Sequence, residues 1–300
     1  MRLFVDNLTN LDFSYLHPKR GLVGETWLAN IELIGELDEQ GMVCDFGIVK
    51  KMMRQWLDTE VDHRLLVATQ SPHLLALTQE NDDCTIHWKT VSQNKKDSEY
   101  EHNYLARCPS EAFCFVDAKE INTQNVAHWC IAQLKPLFPQ SIKEIKLSFT
   151  IETIEGAFYH YSHGLKKHNG NCQRIAHGHR SRIDIWKDGI LDTALMSEWA
   201  KKWADIYIGT KEDVIPETAK TLDNTHIDVG LPKNISFEYR SAQGKFYLSI
   251  PKSSSYVINT DTTVELIAHH IAQTLKQENP DHTYRVKAYE GLSKGAIIEC

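Results

Sequence analysis

Apolar residues recur at helical spacing in four stretches of the chain and alternate with polar residues in most of the others. Two of the helical stretches, residues 122–134 and 260–275, echo each other, and each has a threonine where an N-cap is expected. Two further helices are predicted over residues 46–59 and 192–206. The pattern therefore predicts two helices in each half of the chain.

The alternating stretches predict strands in the same order in both halves. Each half opens with two strands, at 3–6 and 27–35 and again at 157–164 and 179–186. Each half then has an inserted hairpin, formed by 84–90 with 113–116 and by 235–239 with 246–250. Each half closes with a strand after its second helix, at 142–152 and at 283–290.

This shared order indicates a tandem duplication of one domain of about 150 residues. It predicts an α+β fold, with antiparallel sheets and helices packed on one face. The boundary is expected near Glu155-Gly156, which gives domains 1–155 and 156–300.

Composition is compatible with two soluble domains and excludes few functions. The chain has 300 residues, of which 42% are hydrophobic and 24% charged. A net charge of -7 argues against a nucleic-acid surface. Because no apolar run approaches 18 residues and the first residues lack a signal-peptide pattern, we expect a cytoplasmic protein that does not bind membranes. The seven cysteines form no paired spacing and are expected to be reduced.

The triplet His177-Gly178-His179 is the clearest candidate for chemistry. In a strand, residues two apart point to the same face, and His163 could supply a third imidazole from a neighbouring strand. Three protein ligands leave one position of a tetrahedral zinc open, as a catalytic zinc requires. A chain with 15 histidines also contains about one such pair by chance, so a structural role is the alternative.

Basic residues cluster around these histidines. They are either an anion-binding group or solvated surface charge, and the sequence leaves both interpretations open. The residues concerned are Lys166, Lys167, Arg174, Arg180 and Arg182.

Several motifs resemble the 6-pyruvoyltetrahydropterin synthase and 6-carboxytetrahydropterin synthase family. That family has a His-Gly-His strand, a GMVxDFG turn into a helix and an Asp-His-Arg motif. The first half matches it with GETWLANIELIGELD at 24–38, GMVCDFG at 41–47 and VDHRLL at 61–66. The second half matches with SHGL at 162–165, with Cys172 and the histidine triplet, and with YEGLSKGA at 289–296.

The resemblance covers essentially the whole chain as two copies. It implies the tunnelling fold, whose ββααββ units assemble into barrels, and hence a homo-oligomer. In the first copy Val23-Gly24-Glu25 replaces the metal triplet, although Asp62-His63 is kept. The second copy keeps the histidines but shows no Asp-His pair at 203–208. Because active sites of this fold lie between units, we expect one composite site per chain equivalent.

The resemblance also implies a role for each candidate residue. The substrate would be the pterin 7,8-dihydroneopterin triphosphate, and the cofactor would be Zn2+. Cys172 would be the base, Asp62 would orient His63, and His63 would relay the proton. Glu290 would anchor the pterin by two hydrogen bonds, and Glu152 is a lower-ranked candidate for the same role. The metal ligands would be His163, His177 and His179.

Several alternatives remain open at this point. The enzyme could eliminate triphosphate, or it could form a carboxypterin on the route to deazapurines such as queuosine. If Cys172 lay out of reach of the substrate, the zinc and pterin site could run another elimination or an aldol-type cleavage. The chain could also be a deazaguanine nitrile reductase of the same fold, which needs a nicotinamide cofactor, or a non-catalytic pterin- or purine-binding protein.

Overall fold

The computed structural model describes residues 1–90, 102–216 and 234–300. Its four helices are α1 (Phe46–Glu60), α2 (Thr123–Leu134), α3 (Thr193–Lys202) and α4 (Val264–Glu278). A side chain caps each helix by accepting a backbone N–H bond. The four caps are Asp45, Asn122, Asp192 and Thr263.

Two helix predictions need correction. The cap of α2 is Asn122 rather than a threonine, because the Asn122 side chain accepts the N–H of Asn125 at 2.8 Å. The third helix ends at Lys202, short of the predicted 206, because Trp203 already leaves the helical conformation with φ -109° and ψ 18°. Asp205, with a left-handed φ of 55°, could not continue a helix either.

Strands of the first half form one sheet of their own. The sheet has the order β7-β3-β1-β2-β8, in which β1, β2 and β8 are antiparallel while β3 and β7 run parallel to β1. The strands of this half are β1 (Arg2–His17), β2 (Gly21–Gly35), β3 (Leu65–Ala68), β4 (Leu74–Glu80), β5 (Asp83–Thr90), β6 (His102–Pro109), β7 (Phe113–Val116) and β8 (Ile142–Ile151).

The second half repeats this arrangement in the order β15-β12-β9-β10-β16-β17, with β11 paired to β10. Again the central strands are antiparallel, and β12 and β15 run parallel to β9. The strands are β9 (Phe158–His163), β10 (His177–Lys187), β11 (Ile190–Leu191), β12 (Ile206–Thr210), β13 (Asn234–Ser241), β14 (Gly244–Pro251), β15 (Ser255–Ile258), β16 (Tyr284–Tyr289) and β17 (Gly295–Glu299).

Each of these two sheets packs its helices against one face. Buried residues of α1 and α2, such as Met53 and Cys130, share a core with β1, β2 and β8. Buried residues of α3 and α4, such as Trp199 and Ile271, share a second core with β9, β10 and β16. The predicted α+β class is therefore confirmed, with parallel strands added at one edge of each antiparallel sheet.

A third sheet joins the insertions of both halves, in the order β13-β14-β6-β5-β4. The predicted hairpin of β13 with β14 is confirmed. The predicted pairing of 84–90 with 113–116 is wrong: β5 pairs with β6, and β7 pairs with β3. Alternation predicts a strand but not its partner, and the partner β6 was not predicted as a strand. The insertions thus bind the halves together through β6 and β14.

The halves also meet where the hairpin β1-β2 crosses the hairpin β9-β10. Ser14 and Ser162, which occupy equivalent positions, are hydrogen-bonded through their hydroxyls at 2.7 Å. A Cβ on Gly24 would lie 1.8 Å from the carbonyl oxygen of Tyr161, and one on Gly178 would lie 2.6 Å from the Cα of Gly24. Glycine is thus required at this crossing, which relates the halves by an approximate two-fold axis.

β8 ends at Ile151 and β9 begins at Phe158, so the predicted boundary at 155/156 lies in the connection between them and remains a prediction. Among the described helices, none combines the length and the apolar character needed to cross a membrane.

Candidate metal and catalytic site

The three predicted histidine ligands lie together in the second half. Antiparallel pairing places His163 of β9 directly opposite His177 of β10, and His179 follows two residues later on the same face. Their ligand nitrogens all lie within 4.8 Å of one another, and the Nε2 atoms of His163 and His179 are 3.2 Å apart. All three side chains are buried. We call this the inner histidine group.

Contacts at Nδ1 orient each ring so that its Nε2 is left for a ligand. The Nδ1 of His163 lies 2.9 Å from the carbonyl oxygen of Thr262, and the Nδ1 of His177 lies 3.0 Å from that of Arg174. The Nδ1 of His179 lies 3.1 Å from Oδ1 of Asp12, although this contact is off the line of a good hydrogen bond. Partners of this kind fix the ring and its tautomer in metal sites.

The donor set fits a divalent metal such as zinc. Burial and the neighbouring histidines lower the pKa values of His163 and His177 well below the usual value, which favours the neutral imidazole that a metal binds. Three imidazole nitrogens with a free position match a catalytic zinc site.

The Asp62-His63 pair of the first half lies beside this group. The pair follows α1 in a turn where His63 has a φ of 56°. Oδ2 of Asp62 accepts a hydrogen bond from Nδ1 of His63 at 2.5 Å, and the His63 ring is 5.0 Å from the His177 ring between centroids. Burial alone would lower the pKa of His63, but its bonds with Asp62 and Cys172 outweigh this and raise the pKa to about 10.

Cys172 reaches the same place from the loop between β9 and β10. Its backbone carbonyl accepts the N–H of Leu165 at 2.8 Å, which fixes the loop. The ligand atoms of His63, Cys172 and His177 lie within 4.8 Å of one another. Cys172 and His63 are partly exposed, whereas His177 is buried. The structure therefore brings the predicted base, the predicted relay and the histidines into one cluster built from both halves.

Glu290 lies at the edge of this cluster, just after β16. Its Oε1 is 4.0 Å from Nε2 of His179, and its Oε2 is 3.7 Å from Nζ of Lys294. The carboxylate is partly exposed, as a group that meets a ligand must be.

Glu152 does not lie at this cluster. Its backbone carbonyl accepts a hydrogen bond from the side chain of Arg180. Because adjacent residues of a strand point to opposite faces, the side chain of Arg180 points away from that of His179. No contact among the described residues joins Glu152 to the histidines, and its role stays a prediction that the geometry does not support.

The basic residues near the histidines are largely paired within the protein. Lys166 contacts both Glu212 and Asp213, and Lys167 contacts Asp261. Arg182 contacts Asp184, and Arg180 lies over the ring of Phe158. Arg174 is buried in the Cys172 loop. These contacts favour a structural role for most of this charge over a free anion-binding group.

Asp12 is a site residue that the sequence did not reveal. It is buried in β1, where its Oδ1 also accepts a 2.6 Å hydrogen bond from the hydroxyl of Thr26. Its backbone N–H donates to Oδ1 of Asp62, and its carbonyl accepts the N–H of His63. Burial would raise the pKa of Asp12, but His179 and Lys294 hold it below its usual range. Because the burial of Asp12 and its partner His179 are visible only in the folded chain, the sequence gives no signal for this residue.

Known proteins place this chain in a family. The family model described as 6-pyruvoyl tetrahydropterin synthase matches residues 10–159 and, a second time, residues 153–300. The chain belongs to the 6-pyruvoyl tetrahydropterin synthase family. The predicted resemblance is thereby confirmed, and the two matches agree with a tandem fold.

Individual relatives of this family member are distant. A protein of Pyrococcus horikoshii described as "Putative 6-carboxy-5,6,7,8-tetrahydropterin synthase" is 23% identical over 137 residues, which cover 46% of this chain and 73% of that protein. The solved 6-pyruvoyl tetrahydropterin synthase of Plasmodium vivax is 17% identical, with 52% of this chain and 93% of that chain covered and a TM-score of 0.39. The solved 6-pyruvoyl tetrahydropterin synthase of Plasmodium falciparum is 16% identical, with 50% of this chain and 91% of that chain covered and a TM-score of 0.36. TM-scores this low carry no argument, so the assignment depends on the family model.

Membership supports a pterin synthase function of the 6-pyruvoyl tetrahydropterin synthase type. The family consists of lyases and is typically metal-dependent, which agrees with the histidine and cysteine groupings of the site.

Proposed function

We propose that this chain is a zinc-dependent lyase that converts 7,8-dihydroneopterin triphosphate to a 6-pyruvoyl- or 6-carboxytetrahydropterin. The observation that carries the proposal is the meeting of Asp62-His63 from one half with Cys172 and the inner histidine group from the other. Neither half holds the full set, and the approximate two-fold crossing supports a composite site within one chain.

Each residue has a defined task in this proposal. His163, His177 and His179 would hold the ion, which when bound supplies a Lewis acid that polarises the side-chain oxygens of the substrate. Cys172 takes a proton from the activated C–H bond of the substrate. His63, which Asp62 orients and charges, returns a proton to the product side chain. Glu290 accepts hydrogen bonds from the pterin ring, and Lys294 keeps its carboxylate in place.

The test combines metal analysis with product identification. The purified protein is expected to carry zinc and to convert 7,8-dihydroneopterin triphosphate, with the product identified by mass spectrometry. Release of triphosphate with a pyruvoyl side chain, or formation of a carboxyl group, separates the two product classes. Bound pterin without turnover would indicate a binding protein, and nicotinamide-dependent reduction of a deazaguanine nitrile without zinc would indicate the nitrile reductase; either result would overturn the proposal.

A further inference from the structure

His63, Cys172 and His177 form a second group of metal donors beside the inner histidine group. The two groups share His177. They differ in donor chemistry, because the second contains a thiol, and in exposure, because His63 and Cys172 are partly exposed while the inner histidines are buried. An ion that arrives from solvent therefore meets the second group first.

The ring orientations leave the correct atoms for a metal. Nδ1 of His63 is bonded to Asp62 and Nδ1 of His177 to the carbonyl of Arg174, which leaves the Nε2 side of each ring for a ligand. His63 is already hydrogen-bonded to Cys172, so these two donors face each other. A carboxylate–histidine–metal arrangement of this type raises ligand basicity and fixes the ring. Asp62 is itself fixed by the backbone N–H of Asp12 at 2.7 Å. The two imidazole donors thus have the supporting contacts of a built site.

The spacing is close to that of a tetrahedral ion. Zinc with one thiolate and two imidazoles separates its sulfur and nitrogen donors by about 3.5 Å. The two nitrogens of such a site are separated by about 3.3 Å. The three donors lie within 4.8 Å of one another, so any pair needs to approach by about 1.5 Å at most. Rotation of the Cys172 side chain can supply the movement of the sulfur.

The geometry points to an outer metal position, formed by His63, Cys172 and His177, that binds a soft divalent ion such as cadmium or excess zinc and blocks turnover. Thiolate donors select such ions over hard ones such as magnesium. On binding, Cys172 coordinates as a thiolate, and the protons of its sulfur and of Nε2 of His63 pass to solvent. Because His177 has one nitrogen to offer, an ion in the outer position leaves the inner group with two histidines.

Inhibition follows if the proposed function holds, because the ion would occupy both the base and its relay. Binding itself does not depend on that function. A spectroscopic test of binding therefore fails or succeeds separately from any assay of turnover.

The experiment adds cadmium to metal-depleted protein and follows the thiolate-to-cadmium charge-transfer absorbance in the ultraviolet. Cys44 and Cys300, the other partly exposed thiols, are first replaced by serine to give a clean background. We expect the band to saturate at one ion per chain and to disappear in Cys172→Ala. In His63→Ala the affinity should fall at least about 10-fold, whereas His163→Ala, which touches the inner group alone, should keep the band.

Each other result overturns the outer position. A band that survives Cys172→Ala arises from another thiol, and an unchanged affinity in His63→Ala indicates a simple thiol adduct. A band lost in His163→Ala would mean that Cys172 joins the inner group instead. Far-ultraviolet circular dichroism of each variant shows that it is folded. Turnover of 7,8-dihydroneopterin triphosphate that cadmium leaves unchanged, while the band forms, would remove the inhibitory role.

Discussion

The two halves hold equivalent positions with opposite chemistry. Gly24 of β2 and Gly178 of β10 both lie at the crossing, so Glu25 occupies the place that His179 occupies in the second half. By the same register Tyr15 stands where His163 does. The first half therefore carries a carboxylate and a phenol where the second carries two residues of the inner histidine group.

The turn after the first helix of each half shows the same contrast. His63 and Asp205 are equivalent, since each lies two residues before the residue that pairs with Ser14 or Ser162, and their φ values are 56° and 55°. His63 faces Cys172, whereas Asp205 faces Arg20, which lies on the matching connection between strands.

Arg20 and Asp205 form two parallel hydrogen bonds of 2.8 and 2.5 Å. This bidentate ion pair, which also joins one residue of each half, lies at the position equivalent to that of Cys172 and His63. The difference teaches that a duplicated backbone preserves the positions of side chains but not their function: one position is a candidate for chemistry, and the other joins the halves.

The largest difference in zinc content and turnover is expected between substitutions at the equivalent positions His179 and Glu25. We expect His179→Ala to lose bound zinc and to reduce turnover by at least about 10⁴-fold, because the Lewis acid is lost. Glu25→Ala, at the equivalent place, should retain its zinc. Zinc content by atomic spectroscopy, with turnover of 7,8-dihydroneopterin triphosphate, makes the comparison. Full zinc in His179→Ala would show that the inner histidine group is not the site.

Replacement of Cys172 should strongly reduce turnover but leave zinc bound to the inner histidine group. Cys172→Ala is expected to reduce kcat by about 10²- to 10⁴-fold, the usual contribution of a general base. Zinc content should stay near one ion per chain equivalent, since the three histidines remain. Cys300→Ala is the matched control, because this thiol is also partly exposed but packs against α4, where it donates to the carbonyl of Ala272. Equal activity in the two variants would refute a role for Cys172.

Asp12 should affect the affinity of the site for zinc without contacting the ion. Asp12→Asn removes the negative charge 3.1 Å from Nδ1 of His179, and we expect zinc affinity to fall about 10- to 100-fold. The backbone contacts of Asp12 with Asp62 and His63 do not change. His160, the equivalent residue of the other half, contacts Glu25 at 3.8 Å, and His160→Asn should leave zinc affinity unaltered. Competition with a chelator of known affinity measures the zinc affinity of each variant. Equal zinc affinities of Asp12→Asn and His160→Asn would contradict the positioning role of Asp12.

The sequence predicted the repeat, the class of fold and the cluster of histidines, because these follow from periodicity and from local spacing. His163, His177 and His179 could be placed on one face by the alternation of two strands alone. Asp12 could not be assigned, because its partner comes from the other half and lies far away in sequence. The pairing of β6 with β14 was missed for the same reason: hydrophobic alternation does not encode which distant edge a strand meets.

The buried carboxyl of Glu25 should make the free energy of unfolding depend on pH. Burial raises the pKa of this carboxyl to about 7, against the opposing effects of Thr26, Arg180 and Arg20. The folded state then binds more protons than the unfolded state between pH 4.5 and 7, so the free energy of unfolding falls as pH rises through this range, by about 3 kcal/mol. Glu25→Gln should flatten this decline and be more stable above pH 7. Denaturant midpoints at pH 5 and pH 8 test it, and equal declines in both proteins would contradict the prediction.

The ion pair of Arg20 with Asp205 should contribute to stability and leave chemistry alone. Its side chains are 32% and 24% exposed, so solvent weakens the attraction, and we expect Arg20→Ala to cost about 1 kcal/mol of unfolding free energy. Because the pair spans the halves, the loss should appear as earlier unfolding of the whole chain rather than of one half. Turnover per folded molecule should not change, since Cys172 and His63 have no contact with Arg20 among the described residues. A double-mutant cycle with Asp205→Ala measures the coupling free energy between Arg20 and Asp205. A coupling of zero would show that the pair does not stabilise the fold. A loss of turnover as large as that in Cys172→Ala would show that the pair is not purely structural.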